Sequence, residues 1–349
     1  MRRTTAIDKK AVIFRVDAHR ATGLGHLARC LALGEECRRR GWAAFYLGLL
    51  DEDAAGRIAA LGGQALPRPA GGEMVQEMAA LRAARKVTGA RVLVTDGYTL
   101  PDGYHLHARP MFPVVVMIDD LNPSPPAAHV VINPNIYAPR LTYRPVFPDT
   151  ELLLGPAYAL LPAAVRKVKR KETSPDVKSV LVSLGGTDQG GLTLKAVRAL
   201  RRAGIGEVWH VVVGPGFFAG EELARLAQAD RRVLLHFAPK MLVPLLAESD
   251  LVICAGGVTA SEAAATGAPA LILVQAENQR LAAEEFDARG AAVNLGWGHE
   301  AGEDDIANAV TALARDAERR RRMGEAGRAI FDGNGPARCL DAIEGRLNA

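Results

Sequence analysis

Two kinds of pattern take turns along this chain: short uninterrupted apolar runs, and longer stretches in which apolar positions recur every three or four residues. Val12-Ile13-Phe14-Arg15-Val16 predicts the first strand. Behind it, Leu27, Cys30, Leu31, Gly34 and Cys37 line one face of a helix over about 25–40. Further strands are predicted near 43–49, 91–95, 114–118 and 129–133, with helices near 51–61 and 72–87. The second half repeats the scheme. Val180-Leu181-Val182-Ser183-Leu184 reads as a buried strand, and the helix behind it reaches about Ala203, where Gly204 can cap it. Strands at Val208–Val213, Val233–His236, Leu251–Cys254 and Ala270–Val274 follow with helical segments between, and the last helices begin near Glu303. Apolar runs without alternation mark strands covered on both faces, and repeated strand–helix units imply parallel sheets. The expected class is α/β, with two doubly wound, Rossmann-like domains whose parallel sheets face a cleft.

The pattern breaks at Arg166-Lys167-Val168-Lys169-Arg170-Lys171-Glu172, followed by Thr173-Ser174-Pro175-Asp176. A charge run beside turn residues reads as a solvated linker. The expected division is therefore a frayed leader over 1–10, a first domain over 11–161, a linker over 162–176 and a second domain over 177–349. The last helix is expected to pack back on the first domain. With 349 residues there is enough chain for two cores.

Composition changes this picture little. The net charge of +4 is mild, and aromatics, at 5%, do not interleave with a basic stripe, which argues against nucleic acid. No apolar run reaches membrane-spanning length, and the first ten residues lack a signal-type apolar stretch. Cys30, Cys37, Cys254 and Cys339 lack metal-ligand spacing and read as reduced thiols, so the expected setting is cytoplasmic. The sequence leaves the oligomeric state open.

The candidate chemistry sits where strands end. Gly23-Leu24-Gly25-His26 follows the first strand and delivers an imidazole at a helix mouth, where it can move protons. Leu93-Val94-Thr95-Asp96-Gly97-Tyr98 ends another strand in an acid and a phenol, and Asp119-Asp120 ends the next. Asn133-Pro134-Asn135 closes a further one. His105 and His107 read as solvated, and His210 as a core or edge residue. In the second half, Ala255-Gly256-Gly257-Val258-Thr259 opens a helix with Glu262 one turn in. Free N–H groups there suit a diphosphate, and Glu262 suits a ribose diol. The same residues also read as a capping box, Thr259 with Glu262. Ser183-Leu184-Gly185-Gly186-Thr187-Asp188 is a second glycine turn, and Gln275-Ala276-Glu277-Asn278-Gln279 ends a strand in amides and an acid.

Taken in order, these pieces resemble the UDP-sugar hydrolase family of pseudaminic acid biosynthesis. The resemblance runs from about Val12 to Gly290. It rests on Arg15-Val16-Asp17 before Gly23-Leu24-Gly25-His26, on Asp96-Gly97-Tyr98, Ile118-Asp119-Asp120 and Ile132-Asn133-Pro134-Asn135, and on Gly155-Pro156-Ala157-Tyr158-Ala159-Leu160-Leu161, Leu184-Gly185-Gly186-Thr187-Asp188 and Glu277-Asn278-Gln279. That family is similar in fold to the lipid II-forming glycosyltransferase, a two-domain GT-B architecture. The resemblance implies hydrolysis of UDP-2,4-diacetamido-2,4,6-trideoxy-β-L-altropyranose to UDP and free sugar, with inversion and without a metal or other cofactor. It makes His26 the general base, with Tyr98 and Asn278 beside it in catalysis. Asp17, Gly23, Gly25, Asp96, Asn135 and Gln279 fall on the sugar side. Gly185, Gly186, Gly257, Val258, Thr259 and Glu262 fall on the nucleotide side. The chain departs from the family at Gly97, where a histidine is usual, and at Gln189-Gly190-Gly191. A glycosyltransferase of the same fold, and a nucleotide-sugar binding module without turnover, are the alternatives.

Overall fold

The computed structural model describes residues 10–19, 22, 24–68, 72–169, 172–186, 188, 190–214, 217 and 220–349. Residues 1–9, most of the expected leader, lie outside these. The first apolar run forms β1 (Ala11–Val16), and the helical face behind it forms α1 (Gly25–Arg39). There follow β2 (Ala43–Gly48), α2 (Glu52–Ala60), β3 (Gln64–Pro67), α3 (Met74–Thr88), β4 (Val92–Asp96), α4 (Tyr104–Ala108), β5 (Val114–Ile118), β6 (Val130–Asn133) and β7 (Glu151–Leu154). They build one parallel sheet in the order β3-β2-β1-β4-β5-β6-β7.

A short α5 (Ala164–Lys167) precedes the second series: β8 (Ser179–Ser183), α6 (Leu192–Ala203), β9 (Val208–Val213), α7 (Gly220–Ala229), β10 (Val233–Phe237), α8 (Val243–Glu248), β11 (Leu251–Ala255), α9 (Val258–Thr266), β12 (Ala270–Val274), α10 (Glu277–Ala288), β13 (Val293–Trp297), α11 (Glu303–Ala314) and α12 (Ala317–Ile330). Its parallel sheet runs β10-β9-β8-β11-β12-β13. The final helix, α13 (Gly335–Asn348), ends the chain.

The chain divides into two compact units. Unit 1 is Met1–Ala163 with Asn334–Ala349, and unit 2 is Ala164–Gly333. In unit 1, Val12, Phe14 and Val16 turn to one face of the sheet, where α1 and α13 supply Leu27, Cys30, Leu33, Cys339 and Leu340. Ala11 and Ile13 turn to the other face, against Met78 and Leu81 of α3. This two-sided burial is why β1 reads as an unbroken apolar run. Unit 2 packs Val180, Val182, Ile253 and Leu271 against Val197 and Leu200 of α6 and Ile306 and Val310 of α11. All four cysteines are buried and free.

Ser174 and Pro175, in the turn between the charged run and β8, are held by their carbonyls, which accept from the buried guanidinium of Arg320. Three strands are absent from the sequence expectation: β3, β7 and β13. Each is an outermost strand of its sheet, and none has the continuous burial of the central strands. Among the described residues no helix is long and apolar enough to cross a membrane.

Candidate functional site

In unit 1 the strand order reverses between β1 and β4. Loops leave these neighbours in opposite directions, and open α/β sheets bind ligands at the crevice this creates beyond the strand ends. α1 starts at that point. His26 lies in its first turn and Arg29 three residues on, so both face the same side. β4 ends in Asp96, and β5 leads into Asp119-Asp120.

Arg29 is the hub. Its Nε donates to Asp96 Oδ2 at 2.9 Å, its Nη2 to Asp96 Oδ1 at 2.6 Å, and its Nη1 to Asp120 Oδ1. His26 Nδ1 is 2.7 Å from Asp96 Oδ1. Tyr98 Oη donates to Asp120 Oδ2, and Asn135 Nδ2 donates to Asp120 Oδ1 at 2.7 Å. The rings of His26 and Tyr98 meet edge to face, with centroids 4.8 Å apart. His26, Tyr98, Asp96 and Asn135 are thus brought together by two carboxylates and one guanidinium.

The charges follow from this geometry. Burial alone would neutralise Asp120, but the Arg29 charge and hydrogen bonds from Arg29, Tyr98 and Asn135 outweigh it and hold the carboxyl well below its usual range. Burial likewise opposes the Arg29 charge, and Asp120 and Asp96 more than restore it. Arg29 Nη2 also approaches His26 Nδ1 to 2.9 Å. A guanidinium only donates, and Nδ1 cannot accept from Arg29 while donating to Asp96. The carboxylate is the stronger partner, so in the neutral ring Nδ1 carries the proton and Nε2 the lone pair. Nε2 has no hydrogen-bond partner among the described residues, and the side chain is partly exposed. An imidazole oriented through Nδ1 by a buried carboxylate, with Nε2 open, can accept a proton there.

The other sugar-side candidates are placed differently. Asp17 is buried at the end of β1. Its carboxylate accepts from Arg15 at 2.8 Å, Leu49 N at 2.8 Å and Thr99 Oγ1 at 2.9 Å. Arg15 in turn bonds Glu77 of α3. These contacts tie the β1, β2 and β4 loop ends together. Gly25 is the first residue of α1, with open space where a Cβ would stand. Gly23 lies outside the described residues. Asp119 accepts from Tyr143 Oη at 2.6 Å and Asn122 N at 2.9 Å. His105, expected in solvent, is corrected: its Nε2 is 2.8 Å from Thr95 Oγ1, and burial lowers its pKa to about 4. Its helix α4 folds it onto β4.

In unit 2 the order reverses between β8 and β11. Gly185 leaves β8 with φ +96°, a conformation that side chains resist, and Gly186 follows. A Cβ on Gly214 would strike the Gly186 backbone, so the β8 and β9 loops touch main chain to main chain. After β11, Gly257 is the N-cap of α9, and Val258 and Thr259 are its first two residues. The capping-box expectation for Thr259 is thereby corrected: no side chain caps α9, and Thr259 lies inside the helix. The amide end of α9 remains available to an anion. Glu262 is partly buried one turn in, and desolvation pushes its carboxyl up to about 7. Gln279 Oε1 accepts from Gln275 N at 3.0 Å and Gly256 N at 3.3 Å, joining the β11 and β12 loops. Asn278 is partly buried in the first turn of α10. Thr187 lies outside the described residues.

Sequence reasoning missed Arg29 and placed Asp120 at a strand end without naming its partners. A spacing of three from His26 was the available signal for Arg29.

Residues 207–332 match the glycosyltransferase family 28 C-terminal domain. The chain is 25% identical over 277 residues to an uncharacterized protein, MJ1062, of Methanocaldococcus jannaschii, covering 76% of this chain and 55% of that one. It is 26% identical over 199 residues to the spore coat polysaccharide biosynthesis protein SpsG of Bacillus subtilis, covering 56% and 59%. The chain thus spans little more than half the length of these two relatives. Among solved structures, MurG of Acinetobacter baumannii superposes with a TM-score of 0.62 at 15% identity, over 97% of this chain and 99% of that one. The spinosyn rhamnosyltransferase SpnG, solved with thymidine diphosphate, gives 0.66 at 16% identity, over 95% and 100%. The two doubly wound units are those of the GT-B fold, as expected from the sequence.

Proposed function

We propose that this chain is an enzyme acting on a UDP-sugar, and that it hydrolyses the sugar–phosphate bond to give UDP and free sugar. The observation that carries this reading is the pairing of His26 Nδ1 with Asp96 at 2.7 Å, which leaves Nε2 as a proton acceptor. In the proposed reaction Nε2 takes a proton from water as its oxygen attacks the anomeric carbon. The bond to the UDP oxygen breaks and its electrons leave with UDP. Attack opposite the leaving group inverts the anomeric centre. Unit 2 holds the nucleotide: the α9 amide end and the Gly185-Gly186 turn receive the diphosphate charge, and Glu262 receives the ribose hydroxyls. Tyr98 and Asn135, beside His26 in unit 1, hold the sugar. The resemblance to the pseudaminic acid hydrolases makes a 2,4-diacetamido-2,4,6-trideoxy sugar the substrate we favour, with a cytoplasmic site of action.

A second reading has specific support. The match of residues 207–332 to a glycosyltransferase domain favours sugar transfer, with His26 activating a hydroxyl instead of water. One experiment separates the two. The purified chain is incubated with UDP-2,4-diacetamido-2,4,6-trideoxy-β-L-altropyranose without an acceptor, and UDP and free sugar are followed by NMR. Stoichiometric release of both is expected. Release only when an acceptor is added would replace hydrolysis with transfer, and no release in either case would leave a binding module. His26→Asn is expected to slow turnover by about 10²–10⁴-fold with UDP affinity nearly intact.

A further inference from the structure

Tyr98 reaches His26 from an exposed and permissive piece of backbone. Its residue is 61% exposed, so burial does not fix it. Gly97 before it has φ +143°, and nothing stands within 4 Å of where a Cβ would be. Yet the Tyr98 ring meets that of His26 edge to face, and Tyr98 Oη donates to Asp120 Oδ2. The next residue is fastened elsewhere. Thr99 is exposed, but its Oγ1 donates to Oδ2 of the buried Asp17 at 2.9 Å. Burial opposes the charge on Asp17. The Arg15 charge and the donors Leu49 N, Arg15 and Thr99 outweigh it and keep the carboxyl below its usual range. Thr99 therefore donates to an ion, a stronger bond than one to a neutral acceptor. Asp17 is itself held: Arg15 donates to it from Nη1 at 2.8 Å and Nη2 at 3.2 Å, and from Nε and Nη2 to the buried Glu77 of α3.

We propose that Thr99 is a positioning residue for the reaction: tied through Asp17 and Arg15 to Glu77 of α3, it fixes the loop that sets Tyr98 against His26 and Asp120. Its part in turnover rests on the hydrolase reading above; its hold on Tyr98 does not. β4 lies between β1 and β5 in the sheet. Two successive residues of the loop leaving β4 are thus fastened to the strand ends on either side, Thr99 to Asp17 after β1 and Tyr98 to Asp120 after β5. Two fixed points define where the loop stands. With one released, Tyr98 can swing about Gly97, and the His26 ring loses a fixed neighbour. A base held less firmly spends less time aligned with the attacking water, which lowers the rate of the chemical step. Thr99 touches no reacting atom in this scheme and acts only through Tyr98.

Turnover of UDP-2,4-diacetamido-2,4,6-trideoxy-β-L-altropyranose by the full chain is compared for wild type, Thr99→Val and Thr99→Ser. Thr99→Val keeps the shape and removes the donor. It is expected to lower kcat about tenfold with UDP affinity unchanged, and Thr99→Ser, which keeps the hydroxyl, is expected to restore kcat. An unchanged kcat in Thr99→Val, or a loss that Thr99→Ser does not restore, overturns the proposal. NMR of histidine-labelled protein, assigned with His26→Gln and His129→Gln, reads the position of Tyr98 without any turnover. The ring-proton shifts of His26 are expected to move in Thr99→Val toward their values in Tyr98→Leu, while those of His129, elsewhere in unit 1, stay in place. Unmoved His26 signals in Thr99→Val or in Tyr98→Leu overturn the proposal. Equal movement of His129 also overturns it, since it marks a general loosening of unit 1. Absence of turnover in the wild type rejects the hydrolase reading alone, and the His26 shifts then decide whether Thr99 positions Tyr98.

Discussion

Arg29 sits where a helix arginine is usually solvated, yet it is 6% exposed and holds two carboxylates from two different strand ends. Removing one member of a buried ion cluster leaves the others charged and unmatched. Arg29→Met is therefore expected to cost unit 1 about 3–5 kcal/mol at pH 7 in urea denaturation, with part of the loss regained on acidification. A cost under about 1 kcal/mol would mean that water compensates Asp96 and Asp120 equally well. Glu262 presents the opposite case, a carboxyl raised to about 7 by desolvation. A raised acid favours its protonated form, so the folded state gains stability from Glu262 below pH 4.5 and loses it as the pH rises through 7. Ribose hydroxyls donating to this group would favour the ionised form. UDP binding at pH 7 should then release a proton, measured by calorimetry in buffers of different ionisation enthalpy. Glu262→Gln should abolish that release. An equal release in the variant removes Glu262 from the nucleotide site.

At the scale of elements, the site was legible wherever chemistry sits at the end of a strong local pattern. His26 follows an apolar strand and a glycine turn, and Asp96 and Tyr98 end another apolar run. Arg29 was not legible, because its meaning lies in partners 67 and 91 residues away that no local spacing announces. The edge strands failed for a related reason. Gln64-Ala65-Leu66-Pro67 pairs only with β2, so no second neighbour demands an apolar run. His105 shows the cost of reading a short helix by itself. α4 folds it under the end of β4, where its Nε2 lies 2.8 Å from Thr95 Oγ1. Its pKa is lowered to about 4, against 6.5 in the unfolded chain. The stability it contributes is present above pH 6.5 and is lost as the pH falls toward 4, up to about 3 kcal/mol. Denaturation between pH 4 and 7 should therefore be steeper for the wild type than for His105→Gln. Parallel curves would show that the lost stability arises elsewhere.

The whole molecule returns to its beginning. The chain leaves unit 1 at Ala163, builds all of unit 2, and comes back at Asn334. The return is tightly fitted: a Cβ on Gly335 would stand 2.1 Å from the Ala159 carbonyl oxygen. Beyond it, α13 places Cys339, Leu340 and Ile343 in the core beneath β1 and α1. Glu344 ties the same helix to Arg40 and Lys10. The face of the sheet that carries α1, and with it His26 and Arg29, is therefore completed by a helix that follows all of unit 2 in the chain. Leu340→Ala removes buried side-chain volume from that core and should cost about 2–5 kcal/mol. The loss should be confined to one unit, because Leu340 packs only in the unit 1 cluster. Hydrogen exchange followed by mass spectrometry is expected to show faster exchange in β1, β4 and α1, with β8, β11 and α9 unchanged. If protection falls equally in both sets, the two units share one cooperative transition, and the stability of the His26 network cannot be assigned to the core of unit 1 alone.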